Sequence, residues 1–303
     1  MRPVVKQALN LIQKLGAERV LLHLSRLPVL RTSASAFAWQ SQSFDHCLGI
    51  YTRFARRLER NSVTLDGKDI LEIGAGNSIG IGYFFARHGF KSWTASDPFV
   101  SFAASPRAAQ REFKLATRVA EEHDADVAKL VRLKDGKLVL EPRLRFLTLD
   151  ITSFPSELEG KFDIIFSNSV LEHLSPQQLD VATDTFKRAL RANGVMVHGI
   201  DLKDHINPLN PLGFYRYGDH AWSAMTKGSI FYVNRLRSSD YVDYFKRHYF
   251  TVVDCDPYLR FALPPKIHSD LRARYSDEDL CFGEVYVTAR PRCSPRSTCS
   301  RGR

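Results

Sequence analysis

Asp201 and His205 stand four residues apart, where the apolar run "VMVHGID" gives way to the long loop that begins "LKDH". A carboxylate at that spacing can orient an imidazole, and a neutral imidazole can take a proton near pH 7. The pair suits a general base acting on a hydroxyl. The alternative is a structural pair that only shapes the turn. His173, in "LEHL", is a second imidazole that either serves as a base or caps and packs. Upstream, four apolar runs end in polar side chains: Glu72, Asp97, Asp150 and Asn168. Acids at strand ends accept hydrogen bonds from hydroxyls or face cations, so this quartet describes a ligand site.

These side chains depend on the elements that carry them. Residues 37–60 have apolar positions at three-to-four spacing and read as a helix. "LDGKDILEIG" reads as a turn at Asp66-Gly67 followed by a buried strand, and 78–88 as a helix stopped by Gly89. "KSWTAS" is a second strand ending at Asp97-Pro98. A helix-rich stretch covers 105–133, and "LKDGKLVLEP" reads as a hairpin around Asp135-Gly136. "RFLTLD" and "FDIIFSN" are the third and fourth strands. Ser175, Pro176 and Gln178 open a capped helix that Gly194 is expected to end. "VMVHGID" is the fifth strand, "SSDYVDYFKRHYF" a capped helix, and "TVVDCD" and "EVYVTA" the last two strands. Strands alternating with helices predict a mostly parallel sheet covered on both faces. The expected organisation is a basic amphipathic segment at 1–36, one domain at 37–291 with a lid loop at 203–237, and a disordered basic tail at 292–303.

The stretch "ILEIGAGNSIGIG", residues 70–82, puts glycines 74, 76, 80 and 82 between a buried strand and a helix. Such a turn brings backbone N–H groups beside a ligand. A dinucleotide fingerprint would need glycine at 79, where Ile79 stands. Glu72, two residues before Gly74, is a poor neighbour for pyrophosphate. It suits a cofactor with a cationic group and no phosphate, and S-adenosylmethionine (SAM) fits that description.

The bulk composition narrows the classes. The chain has 303 residues, a formal net charge of +10 and 44% hydrophobic residues. Residues 1–31 hold six cations against Glu18, and 292–303 hold four arginines with no acid, so the body between them carries only +1. The basicity belongs to the ends, which argues against a nucleic-acid groove in the body. The five cysteines form no CxxC, and no spacing of His, Cys, Asp or Glu suits a metal. No apolar run is long enough to span a membrane. The expectation is a cytoplasmic protein whose cationic N-terminal helix either packs on the domain or touches an anionic membrane surface.

In order along the chain, "ILEIGAGNS", "SDP", "LDI" and "FDIIFSNSVLEHL" resemble the successive motifs of class I SAM-dependent methyltransferases. The resemblance covers 45–200 closely and 238–290 more loosely. It implies a Rossmann-like, seven-stranded, mostly parallel sheet with an antiparallel last strand, and SAM as cofactor. By the same resemblance, Glu72 and the turn Gly74, Ala75, Gly76 and Asn77 would hold the methionine part. Asp97 and Pro98 would hold the ribose, and Asp150 and Ile151 the adenine, with Asn168 lining the floor. Ser78 replaces the third motif glycine, and the stretch between Asp97 and Asp150 is longer than the pattern expects.

Methyl transfer from a sulfonium is an in-line displacement that needs an aligned, deprotonated nucleophile. After the fourth strand the chain reads Asn168-Ser169-Val170-Leu171 rather than the Asn/Asp-Pro-Pro-aromatic run of relatives that methylate amide or nucleobase nitrogens. "LEHL" resembles the small-molecule branch. The expected acceptor is therefore a small molecule, glycan or lipid-linked compound, methylated on a hydroxyl, with His205 as base, Asp201 as its partner and His173 nearby. The lid's Tyr215, Tyr217, His220 and Trp222 would either stack on a sugar or form the lid's own small core. The competing functions are an RNA or nucleobase methyltransferase and a SAM-binding protein without catalysis.

Overall fold

The computed structural model describes residues 43–99, 105–207, 209–229 and 232–292. The segments 1–36 and 293–303, with the membrane contact expected of the first, lie outside the described residues.

The chain opens with helix α1 (Phe44–Arg60), whose Phe44, Cys47, Ile50, Phe54 and Leu58 face inward. Strand β1 (Asp69–Ile73) leads through the glycine turn into the short helix α2 (Gly80–Phe85). A 3-10 turn at Ala86–His88 and a left-handed Gly89 then stop the chain, as the sequence predicts. Next come β2 (Ser92–Ser96) and α3 (Pro106–Glu122). The expected hairpin forms as β3 (Val131–Lys134) and β4 (Lys137–Leu140), turning at Asp135-Gly136. It sits apart from the main sheet, so the extra length between Asp97 and Asp150 does not disturb strand order.

The sheet continues with β5 (Leu144–Leu147), β6 (Phe162–Asn168), α4 (Pro176–Ala189) and β7 (Leu190–Asp201). The segment 203–237 follows with α5 (Asp219–Thr226), then come α6 (Ser238–Arg247) and β8 (Phe250–Arg260). Short helices α7 (Ser269–Arg272) and α8 (Asp277–Leu280) precede β9 (Phe282–Pro291). The strand order is β5-β2-β1-β6-β7-β9-β8. Only β9 runs against its neighbours, β7 and β8. The expected fold class is therefore the observed one.

One core packs α1, α2 and α3 on one face of the sheet, through Phe54, Phe84, Trp93 and Phe166. A second packs α4 and α6 on the other face, through Phe186, Phe245, Leu179 and Met196. Ser175 and Gln178 close a reciprocal capping box on α4. Gly194 does not end that helix. The chain turns extended at Leu190, which is buried and pairs with Phe162, so Gly194 lies inside β7. Burying Leu190 against the neighbouring strand outweighs the local stop signal.

Residues of the 203–237 segment, Phe214, Tyr215 and Trp222 among them, make a third core with Leu271 and Leu280. The Tyr215 hydroxyl donates to the Leu280 carbonyl, and the Trp222 indole donates to the Val233 carbonyl. The fully buried Arg237 donates to the Leu202, Asp279 and Phe282 carbonyls and so pins the end of the 203–237 segment to the ends of β7 and β9. Of the two expectations for the lid aromatics, the small core is what forms. His220 is exposed on α5.

Candidate active site

The glycine turn is built by two left-handed residues, Gly74 (φ 69°) and Gly76 (φ 65°). Only glycine takes this conformation without strain. A Cβ on Gly74 would also lie 2.2 Å from Val170 Cγ2, so the turn is closed from outside by the segment after β6. The Ala75 N–H donates to Ser96 O (3.0 Å) and the Gly76 N–H to Asp97 Oδ2 (3.2 Å). Asp97, just past β2, also accepts from the Phe99 N–H (2.8 Å). The turn and this carboxylate thus form one rigid cradle.

Beneath it lies a buried acidic layer. Glu72 accepts a hydrogen bond from Trp93 Nε1 at 2.8 Å. Burial pushes its carboxyl up to about 8; the Trp93 bond opposes that and the nearby Glu112 adds to it. Glu112, from α3, is fully buried and accepts from the Ile79 N–H (2.8 Å) and the Ser78 hydroxyl (3.1 Å). Ser78 in turn accepts from the Gly80 N–H (2.8 Å). The first turn of α2 is therefore capped by a protein carboxylate. The Ile79 and Gly80 N–H groups are therefore already taken by protein oxygens, which leaves them unavailable to a pyrophosphate and counts against the dinucleotide reading. Ser78, in place of the third glycine, is a working part of the cap.

Asp150 and Asn168 sit at the same carboxyl-end edge of the sheet. Asp150 is exposed and accepts from the Thr152 N–H and hydroxyl, capping the 3-10 turn that begins at the buried Ile151. Asn168 ends β6 in register with Gly199. Pro98 is half-buried beside Asp97, and Ala75 and Asn77 are buried in the turn. Asp97, Asp150 and Asn168 therefore lie along the carboxyl-end edge of the sheet, while Glu72 faces inward to Trp93 and supports the turn from below.

The second cluster is Asp201, His205 and His173. His205 Nε2 lies 3.5 Å from Asp201 Oδ2, and the two imidazole rings are 5.0 Å apart. Burial opposes ionisation of Asp201. His205, with the Lys203 ammonium at 3.1 Å and the Lys203 N–H, outweighs it and holds the carboxyl at about 2. His173 Nδ1 lies 2.9 Å from the Tyr232 carbonyl, which can only accept, so this nitrogen carries the proton. Desolvation by the surrounding protein, then the neighbouring His205 imidazole, lowers the His173 pKa to about 4, although part of the side chain is exposed to solvent. Its Nε2 is therefore an acceptor at neutral pH. The His173 N–H donates to Val170 O (3.0 Å), so the 3-10 turn that places His173 also carries the side chain resting on Gly74. The histidines and the glycine turn are thus two ends of one short connection.

Several participants are invisible as motifs. Trp93 and Glu112 read in sequence as core and helix surface. Glu172, inside "LEHL", is buried, and neither of its carboxylate oxygens makes a hydrogen bond of good geometry. Burial, then the Asp201 charge, raises its pKa. Lys203 bridges Asp201 to Glu284 (2.9 Å), on the neighbouring antiparallel strand. Among the described residues no group of three or more His, Cys, Asp or Glu is arranged to hold a metal. No helix among them is long and apolar enough to cross a membrane.

A family model described as a methyltransferase domain (Methyltransf_23) matches residues 43–254, well over half of the chain. The protein belongs to that family and is a SAM-dependent methyltransferase of the class I fold. No curated protein matches it at a significant level. Among solved structures it is similar to a chain of the complex between the Haloferax volcanii Trm112 methyltransferase activator and a methyltransferase, at 13% identity, covering 86% of this chain and 96% of that one, with TM-score 0.48. It is also similar to a Burkholderia thailandensis 1,6-didemethyltoxoflavin-N1-methyltransferase, at 15% identity over 88% of this chain and 85% of that one, TM-score 0.48. A Mesorhizobium loti SAM-dependent methyltransferase is similar at 13% identity over 78% of this chain and 96% of that one, TM-score 0.45.

Proposed function

We propose that this methyltransferase acts on a hydroxyl of a small-molecule, glycan or lipid-linked acceptor, with His205 as general base. The observation that carries the reading is the Asp201–His205 pair, with His173 beside it, joined through Val170 to the glycine turn. Bound SAM supplies an electrophilic methyl group on a sulfonium. Gly74 to Asn77 and Asp97 would hold it, with Asp150, Ile151, Pro98 and Asn168 bordering the nucleoside side. Glu72 would keep the turn in place from below. This donor set fits a cofactor without phosphate, because Glu112 and Ser78 already take the N–H groups at the start of α2 that a phosphate would need.

Asp201, ionised throughout the working pH range, turns His205 Nε2 inward as a donor. That leaves His205 Nδ1 to take the acceptor proton as the oxygen attacks. Neutral His173 lies against the first ring, and its Nε2 can accept a hydrogen bond from the acceptor. Burial of the Asp201 side keeps water from competing for the carboxylate.

The test is calorimetric titration with S-adenosylhomocysteine and NADH, wild type beside Asp97→Ala, followed by an acceptor screen. Binding of the homocysteine adduct that is lost in Asp97→Ala, with no NADH signal, supports the cofactor site. His205→Ala is then expected to lower kcat by about 100-fold or more while the adduct still binds. Unchanged turnover in His205→Ala refutes the base assignment. For the segment 1–36 we propose peripheral contact with anionic membranes. Its test is salt-sensitive liposome sedimentation, which deletion of residues 1–31 should abolish.

A further inference from the structure

Helix α1 carries three arginines along the flank that meets β8 and β9. Two are matched by carboxylates: Arg57 with Asp256 at 2.7 Å, and Arg60 with Asp254 at 3.1 Å. Arg53 is different. It is half-buried, and its Nε donates to the Tyr286 hydroxyl at 2.7 Å. Among the described residues it has no carboxylate at ion-pair distance, and its two terminal nitrogens make no hydrogen bond. A partly buried guanidinium anchored by Nε alone presents its other donors as a preorganised fork.

Its position is set by Tyr286. That ring lies over Gly199, where a Cβ would come within 2.7 Å of Tyr286 Cε1 and 3.1 Å of Asn168 Oδ1. The ring is held on α1 by the Arg57 guanidinium, 3.4 Å from its centroid. Burial pushes the Tyr286 hydroxyl up to about 12, so it stays protonated and faces Glu284 Oε2 at 3.5 Å. Glu284 continues through Lys203 to Asp201 and His205. Arg53 therefore stands at the far end of an unbroken polar chain from the base, on the same face and at the same end of the sheet as Asn168.

We propose that Arg53 anchors an oxyanion, phosphate or carboxylate, carried by the methyl acceptor, so that the acceptor is an anionic compound. This rests on the hydroxyl-methylation reading above and names the acceptor class. Tyr286 is the positioning residue that aims the guanidinium. Glycine at 199 leaves the room that the Tyr286 ring fills.

The experiment uses the full chain loaded with S-adenosylhomocysteine, titrated with inorganic phosphate and, separately, with acetate, following side-chain N–H resonances of arginine. Saturable binding is expected, tighter for phosphate if the anion is phosphoryl and tighter for acetate if it is a carboxylate. Arg53→Met should weaken it by about tenfold or more, and Arg53→Lys by less, because charge survives and the fork does not. Tyr286→Phe should weaken it by about threefold while the Arg53 charge remains. Adduct binding in each variant reports that the fold and cofactor site survive. Adduct binding with an anion response that persists in Arg53→Met, or with no saturable response in wild type, overturns this inference alone. Failure of wild type to bind the adduct overturns the cofactor reading and this one with it.

Discussion

Replacing Glu72 with Gln isolates the energetic consequence of burying an acid under the glycine turn. Glu72 is 3% exposed, and its carboxyl accepts from the Trp93 indole at 2.8 Å. Its folded pKa is about 8 against an ordinary 4.5, because burial penalises the charge and Glu112 adds to the penalty. A group whose folded pKa is raised holds its proton longer in the native state than in the unfolded one. Its contribution is therefore fully present below 4.5 and is lost as the pH rises towards about 8. At about 1.4 kcal/mol for each factor of ten, the whole interval amounts to about 5 kcal/mol as an upper bound, since local relaxation reduces it. Gln keeps an oxygen for the Trp93 N–H and never ionises.

The assay is denaturant unfolding of wild type and Glu72→Gln at pH 5, 6.5 and 8. Other groups titrate in this range: neutral His173 and His198 have folded values near 4 and 3, which makes stability rise with pH up to about 6.5. Subtracting the variant removes those contributions and leaves Glu72. The advantage of Gln over Glu is expected to grow with pH, by about 2 kcal/mol or more between pH 5 and 8. A difference that stays constant across the three pH values refutes the claim that Glu72 is protonated in the folded cofactor-free protein.

Two further predictions concern the frame. Gly74→Ala combines a positive φ with a Cβ only 2.2 Å from Val170 Cγ2. It should cost about 2–4 kcal/mol in urea unfolding, and Val170→Ala in the same chain should recover the packing part but not the backbone part. Strict additivity of the two changes would show that the contact does not close the turn. Ser175→Ala removes the acceptor for the Gln178 N–H and should lower stability by about 1 kcal/mol, read as a drop of a few degrees in Tm. An unchanged Tm would mean that the capping box is idle.

The parts of this protein legible in its sequence are those governed by local rules. The strand–glycine–helix turn, the Ser175 capping box and the Asp135-Gly136 hairpin each depend on a few consecutive residues, and each forms. The error at Gly194 has the opposite cause. A glycine after a helical run is a local stop signal, but Leu190 gains more by pairing with Phe162 in the sheet, and that partner lies 28 residues away. The candidate site divides along the same line. Asp201 and His205 are four residues apart and stand out by spacing. Arg53 and Tyr286 are separated by 233 residues, and Glu112 lies 40 from Glu72. No pattern in the sequence marks Arg53 from Arg57 or Arg60, because the distinction is made by β8. That strand supplies Asp254 and Asp256 to two of the three and nothing to the third. What sets Arg53 apart is a carboxylate that the opposite strand does not provide. Only the sheet register, with Tyr286 opposite both Gly199 and Asp256, fixes which of these three arginines is left without a carboxylate among the described residues.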